Sequence, residues 1–161
     1  MERITGYAPI VDARCQTLIL GTAPSVESLK AGFYYAHPRN AFWRILADVF
    51  SCSLPQTIAE KTALALDNHL ALWDVVHTCV RKGSLDSAIR EVEPNDFAAF
   101  FGRYAGIERV LFNGAAAQKL FFRLCAGTLA GRDSVRLPST SPAYTLPYEQ
   151  KLAFWRKELM S

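Results

Sequence analysis

A chain of 161 residues, half of them hydrophobic, carries enough apolar material for one sizeable core, and a single domain over residues 1–161 is expected. The absence of internal repeats, low-complexity runs and any apolar stretch near the roughly 18 residues of a membrane span argues against repeat arrays and membrane-spanning classes. A net charge of +3 permits contact with phosphate without demanding it, and the expectation is a soluble, cytoplasmic protein, monomeric by default at this size.

Residues 1–14 read as an irregular lead-in, with Pro9-Ile-Val-Asp12 packing along a sheet. Residues 17–20 form an apolar run too short for a helix and read as a buried parallel strand. The strand breaks at Gly21-Thr-Ala-Pro-Ser25, a turn that directs backbone N–H groups outward toward an anion or a polarised oxygen. Phe33, Tyr34 and Tyr35 follow, then the polar cluster His37-Pro-Arg-Asn40, then a helix over residues 40–50 with Phe42, Trp43, Leu46, Val49 and Phe50 on one face. Flat rings beside a rigid polar corner suit a flat polar heterocycle.

Residues 57–68 predict a second helix, with Ile58, Ala59, Leu64 and Ala65 inward. Residues 70–76 read as the next buried strand, running into a polar segment over residues 77–87. Pro94-Asn-Asp96 starts a helix with Phe97, Phe100, Phe101 and Tyr104 at helical spacing, ended by Gly106. A third strand over residues 109–112 meets Asn113-Gly114 and feeds a helix over residues 115–125. A fourth strand over residues 134–137 runs into Pro138-Ser-Thr-Ser-Pro142 before a last helix over residues 148–160. Strands alternating with helices imply an α/β fold with a largely parallel sheet covered on both faces. Ligands of such sheets bind beyond the carboxyl ends of the strands, so Gly21 to Ser25, Asn113 and Pro138 to Pro142 should converge on one cleft.

Six segments together resemble the uracil-DNA glycosylase superfamily, and within it the deoxyinosine (hypoxanthine) DNA glycosylase branch. They are Gly21-Thr-Ala-Pro24, Tyr34-Tyr-Ala-His-Pro-Arg-Asn-Ala-Phe-Trp43, Ala71-Leu-Trp-Asp74, Gly83-Ser-Leu-Asp-Ser-Ala-Ile-Arg90, Phe112-Asn-Gly114 and Leu137-Pro-Ser-Thr-Ser-Pro142. The H-P-R-N-A-F-W block joined to P-S-T-S-P is the specific part. The resemblance implies a three-layer αβα sandwich around a short, mainly parallel four-stranded sheet. It also implies hydrolysis of the N-glycosidic bond of a deaminated base in DNA, leaving an abasic site, with no metal or organic cofactor. Many members of the superfamily place an Asp or Asn in the first motif to position the attacking water, whereas this chain has Thr22-Ala23 there. In the hypoxanthine branch that duty falls to the Asn of H-P-R-N, here Asn40. Ala23-Pro24-Ser25 also departs from the more usual Leu-Pro-Gly. The four cysteines, Cys15, Cys52, Cys79 and Cys125, have no C-x-x-C pair and read as reduced and mostly buried.

An enzyme of this kind must flip its nucleotide out of the stack, at a few kcal/mol. Stacking on a ring returns about 1–3 kcal/mol, and the resemblance assigns that place to Tyr35. Hypoxanthine and uracil share a lactam edge, a carbonyl beside an N–H, and the Asn113 amide offers the complementary donor and acceptor; it is read as the base-reading residue. Gly21, Thr22, Ala23 and His37 complete the base pocket, with His37 structural rather than acidic. An Asn has no useful acid–base pKa, so Asn40 orients water and cleavage is mainly dissociative, with preorganised dipoles holding the departing charge. Backbone N–H groups over residues 22–25 and the hydroxyls of Ser139 and Ser141 are candidate donors. Ser25, Arg39, Ser139, Thr140, Ser141, Pro142 and Tyr144 are read as DNA contacts, Tyr144 or Leu146 as the wedge that fills the stack, and Arg81, Lys82, Arg132 and Arg136 as further phosphate candidates.

Three rivals stand beside this reading. One is a serine hydrolase using Asp74 and His77, for which no G-x-S-x-G elbow exists. Another is a damage-binding module of the same fold with weak catalysis, kept open by Thr22-Ala23. The last is an enzyme acting on free deoxyinosine.

Overall fold

The computed structural model describes residues 3–161. The described residues form seven strands and six α-helices in the order β1 (Arg3–Thr5), β2 (Thr17–Gly21), α1 (Val26–Ala31), α2 (Phe42–Val49), α3 (Ile58–Asp67), β3 (Leu70–Asp74), β4 (Val76–Val80), β5 (Arg90–Pro94), α4 (Phe97–Arg103), β6 (Arg109–Asn113), α5 (Ala115–Leu124), β7 (Asp133–Leu137) and α6 (Tyr148–Leu159). The central sheet has four strands in the order β3-β2-β6-β7, and all three of its pairings are parallel.

The apolar runs of β2, β3 and β6 cover both faces of this sheet, because successive side chains point to opposite sides. Leu18, Leu20, Ala71, Trp73, Val110 and Phe112 face α4 and α5, where Phe97, Phe100, Phe101, Ala117 and Phe121 complete one core. Ile19, Leu70, Leu72 and Leu111 face the other way, against Phe42, Ile45, Leu46 and Val49 of α2 and Leu152 and Trp155 of α6. Two layers of helix on one sheet are the three-layer αβα sandwich expected from the sequence. No helix among the described residues is long and apolar enough to cross a membrane.

Four sequence expectations need correction. The lead-in is not wholly irregular: Arg3–Thr5 pairs with β4 in a second, antiparallel sheet of order β1-β4-β5, while Met1 and Glu2 lie outside the described residues. Ile10 forms a single antiparallel bridge to Leu72, so Pro9 to Asp12 does pack along the sheet. The run over residues 70–76 is two strands, because the Val75 N–H donates to the Gly21 carbonyl and its own carbonyl accepts from Asn95, turning the chain into the second sheet. Ile58 is 52% exposed and Ala59 is exposed, since α3 turns only Ala65 fully inward. Helix α2 starts at Phe42, later than expected, although the Asn40 side-chain oxygen accepts from the Phe42 N–H at 2.9 Å and serves the helix entrance. Of the four cysteines, Cys15, Cys79 and Cys125 are buried and Cys52 is exposed.

Candidate active site

The parallel strands of the central sheet finish at one edge. Gly21 pairs with Asp74, and the Leu20–Phe112 rung brings Asn113 alongside them. The segments leaving these strand ends enclose a cavity of about 110 Å³. That is below the roughly 300–1,000 Å³ of sites for drug-sized ligands, and suits one heterocycle.

Gly21, Thr22, Ala23, Ser25, Tyr35, Asn40, Asn113, Ser139, Thr140 and Ser141 all line this cavity. The two asparagines therefore open into the same space although 73 positions separate them in sequence. His37, Arg39, Pro142 and Tyr144 do not line it; they border a larger groove next door, of about 710 Å³, whose wall Tyr35 and Asn40 share. Arg39, Arg44 and Lys61 line that groove together with Lys151, which is buried with its Nζ on the Ser141 carbonyl, and no carboxylate among the described residues does, an arrangement that attracts a polyanion.

Asn113 is 9% exposed and held from both ends of its amide. Its Oδ1 accepts from the Thr140 N–H at 2.9 Å and its Nδ2 donates to the Thr140 hydroxyl at 3.0 Å. A backbone N–H requires an acceptor, which settles which end is oxygen. One N–H and one lone pair remain for a ligand. The Thr140 carbonyl accepts from the Ala41 N–H at 3.0 Å, so this residue also ties down the turn that carries Asn40. Asn40 is fixed by the same logic: with its Oδ1 on Phe42, its two N–H groups and one lone pair are free.

Each of the three indoles secures a segment beside the cavity. Trp43 Nε1 donates to the Tyr34 carbonyl at 3.0 Å, Trp73 Nε1 to the Tyr7 carbonyl at 3.0 Å, and Trp155 Nε1 to the Pro138 carbonyl at 2.9 Å. Tyr35 has φ 54°, an uncommon left-handed conformation for an aromatic residue, and stacks on Phe42 with centroids 4.2 Å apart. Its hydroxyl is buried beside the Asn113 side chain, which favours its ionised form, but has no partner at full hydrogen-bond geometry.

Several assigned positions are placed otherwise than the sequence implied. Thr140, read as a DNA contact, is 1% exposed and its hydroxyl is taken by Asn113. His37 accepts from the Arg39 N–H through Nδ1 and shapes the loop rather than the cavity. Ser25 caps α1, accepting from the Ser28 N–H. Arg81 is buried, donating to the Pro24 carbonyl and, at 2.6 Å, to the Gly83 carbonyl; it ties two loops together and is withdrawn from phosphate. Arg132 is likewise occupied, on the Ile107 carbonyl at 2.7 Å and over the Phe101 ring. Tyr144 is 49% exposed on the groove, with Leu146 beside it. His77 is exposed on β4 while Asp74 is buried, which removes the basis for a Ser-His-Asp arrangement.

Asp74 is the cavity residue for which the sequence reading found no role in base binding. It is 3% exposed, lines the cavity, and leaves Oδ2 without a partner. Burial pushes its carboxyl up to about 7, with the Asp86 charge adding and Arg81 opposing. Burial, and then the Asp74 charge, raises the phenols of Tyr34 and Tyr35, so both remain protonated. A lone acid closing the otherwise apolar strand Leu-Ala-Leu-Trp-Asp, level with Gly21 and Asn113, was the signal available in the sequence.

Residues 8–160 match the family described as the Uracil DNA glycosylase superfamily. A protein named hypoxanthine DNA glycosylase from Methanosarcina acetivorans is 34% identical over 139 residues, 86% of each chain. One of the same name from Methanosarcina barkeri is 34% identical over 110 residues, covering 68% of this chain and 70% of that one. A solution NMR structure of a proposed uracil DNA glycosylase from Methanosarcina acetivorans superposes with a TM-score of 0.85 at 29% identity, over 99% of this chain and 100% of the other. The chain belongs to the uracil-DNA glycosylase superfamily.

Proposed function

We propose that this member of the superfamily is a monofunctional DNA glycosylase of base excision repair. It flips a deaminated base, hypoxanthine first, out of DNA and hydrolyses its N-glycosidic bond to leave an abasic site. Uracil and xanthine carry the same lactam edge and are the other substrates to compare. The observation that carries the reading is the shared cavity of Asn40 and Asn113 beside a groove lined by four cations and, among the described residues, no carboxylate. The names of the relatives point the same way.

In this reading the duplex lies along the groove, with Arg39 and its neighbours on phosphates and Tyr144 filling the gap in the stack. The extruded base enters the small cavity against Tyr35, and the free N–H and lone pair of Asn113 meet its lactam edge. Asn40 accepts one hydrogen of a water and aims its oxygen at C1′. The C1′–N bond breaks, its electron pair leaving with the base; water oxygen bonds to C1′, and the surplus proton ends on the base or in solvent. Backbone N–H groups over residues 22–25 and the hydroxyls of Ser139 and Ser141 are the fixed dipoles near the departing charge.

Thr22-Ala23 offers neither acid nor amide in the first motif, and this keeps a catalytically weak damage-binding module as the second reading. Incubating the protein with duplexes that carry one deoxyinosine, deoxyuridine or deoxyxanthosine, followed by alkali, separates the two. Strand breakage at the lesion is expected from the glycosylase; tight binding without breakage on any of the three is the outcome for the module. Free deoxyinosine assayed in parallel should remain uncut.

A further inference from the structure

We propose that Asp74 acts in this site as a neutral carboxylic acid, donating a hydrogen bond to the carbonyl edge of the flipped base and stabilising the negative charge that the base carries away. The inference rests on the glycosylase reading above and adds a catalytic group to it.

Asp74 ends β3 on the cavity floor, and its Oδ1 lies 2.6 Å from where a Cβ on Gly21 would stand. The Tyr35 hydroxyl lies 3.0 Å from the same point, so a side chain on Gly21 would press on both groups, and all three residues line the cavity. Asp74 Oδ2 and the Tyr35 hydroxyl are both buried and unpartnered. Buried polar atoms without partners are uncommon, and two on one small cavity are what an incoming polar edge would satisfy.

The charges around Asp74 decide its protonation. Tyr7 faces it from the amino-terminal segment, Tyr34 and Tyr35 from the turn before α2, Arg81 from just beyond β4, and Asp86 from the short turn over Asp86–Ala88. From β2 Gly21 pairs with it, and the Asn95 side chain donates to its backbone carbonyl. Arg81 donates through Nε and Nη2 to the Gly83 and Pro24 carbonyls and leaves a buried Nη1 without a partner, so it gives Asp74 a charge that opposes protonation but no hydrogen bond. Two carboxyls thus share one guanidinium. Burial raises the Asp86 carboxyl as well, but Asp86 accepts from the Thr22 hydroxyl at 3.3 Å, a hydrogen bond to its charged form that Asp74 lacks, so it is the one better able to hold a negative charge. Asp74, enclosed, is the one that keeps a proton, consistent with a carboxyl pushed up to about 7.

The chemistry follows from that proton. A carboxylate can only accept, and would repel both the base carbonyl and the electrons that the base withdraws from C1′. A carboxylic acid presents an O–H to that carbonyl, and the bond strengthens as charge arrives there. An apolar site keeping a carboxyl neutral so that it can donate to a developing oxyanion is an established device in other enzymes.

The test compares the parent with Asp74→Asn, which keeps size and an N–H donor but cannot ionise. Single-turnover cleavage of a deoxyinosine duplex is followed from pH 5.5 to 9, on the order of one unit either side of neutrality and beyond. The parent should fall about tenfold per pH unit above its midpoint, while Asp74→Asn is slower at low pH and level throughout. A parent profile that stays flat or rises, or a variant that falls with the parent, overturns the proposal. A carbon-13 carboxyl titration of the free protein, with the Asp74 signal assigned by its loss in Asp74→Asn, reads the proton without activity; a midpoint in the ordinary carboxylate range also overturns it. If deoxyinosine stays uncut at every pH, the hypoxanthine reading fails and the profile is taken on whichever lesion is cut. Cleavage of none overturns both.

Discussion

Asn113 and Thr140 hold each other through two hydrogen bonds, amide oxygen to backbone N–H and amide nitrogen to hydroxyl, across 27 residues of sequence. This pair joins the end of β6 to the loop after β7, and the Thr140 carbonyl passes the constraint on to the turn of Asn40. Replacing Thr140 by Val keeps the shape and leaves the buried Asn113 Nδ2 short of an acceptor. Thermal or urea unfolding should show a loss of about 1–3 kcal/mol, and cleavage should fall more than binding to lesion DNA. Equal losses in both would mean that the pair supports the fold without orienting Asn113.

Gly21 supplies open space on the cavity floor. A Cβ there would stand 2.6 Å from Asp74 Oδ1 and 3.0 Å from the Tyr35 hydroxyl. Gly21→Ala should reduce cleavage by about 100-fold or more, on the scale of losing a preorganised donor, with folding retained as judged by circular dichroism. Gly102→Ala, where a Cβ meets nothing within 4 Å, is the matched control and should cleave normally.

Asp74 also links stability to pH. Its folded pKa lies above the unfolded value, so the native state binds the extra proton and stability falls as pH rises from the ordinary carboxylate range toward about 7. The slope is at most about 1.4 kcal/mol per pH unit from this one group. Asp74→Asn removes that dependence, so its melting temperature should gain on the parent's between pH 4 and pH 7 and keep a constant offset above. A variant whose melting temperature does not gain on the parent's over that range would contradict the assignment.

Much of the fold was legible because its signals are local. Short apolar runs before Gly21 and Asn113 and over residues 70–76 mark buried parallel strands, the last of them carried two residues too far, and the phenylalanines of α4 mark a helix. The antiparallel sheet was not, because His77 and Thr78 in β4 and the charged residues of β5 read as polar loop. The site was legible where a motif carried it and obscure where burial decided. Arg81 and Thr140 look like surface groups in sequence, yet each is turned inward to satisfy backbone or amide partners that only the fold brings near. Asp74 looked like a partner for His77 because the two are neighbours in sequence; the kink at Val75 sends them to different sheets.

The groove makes a salt-dependent prediction. Arg39 is exposed on its wall, and the surrounding lining residues include no carboxylate to neutralise it. Arg39→Ala should weaken binding to any duplex and reduce the slope of log affinity against log salt by about 1. An unchanged slope in fluorescence anisotropy titrations would take Arg39 off the DNA path.

The central claim is that Asn40 aims water at the sugar of a base held in the cavity it shares with Asn113. Single-turnover cleavage of a deoxyinosine duplex by the parent and by Asn40→Ala tests it most directly, with lesion binding measured alongside. The account predicts cleavage by the parent, a loss of about 100-fold or more in the variant, and similar affinity for both. A variant that cleaves as fast as the parent would contradict it.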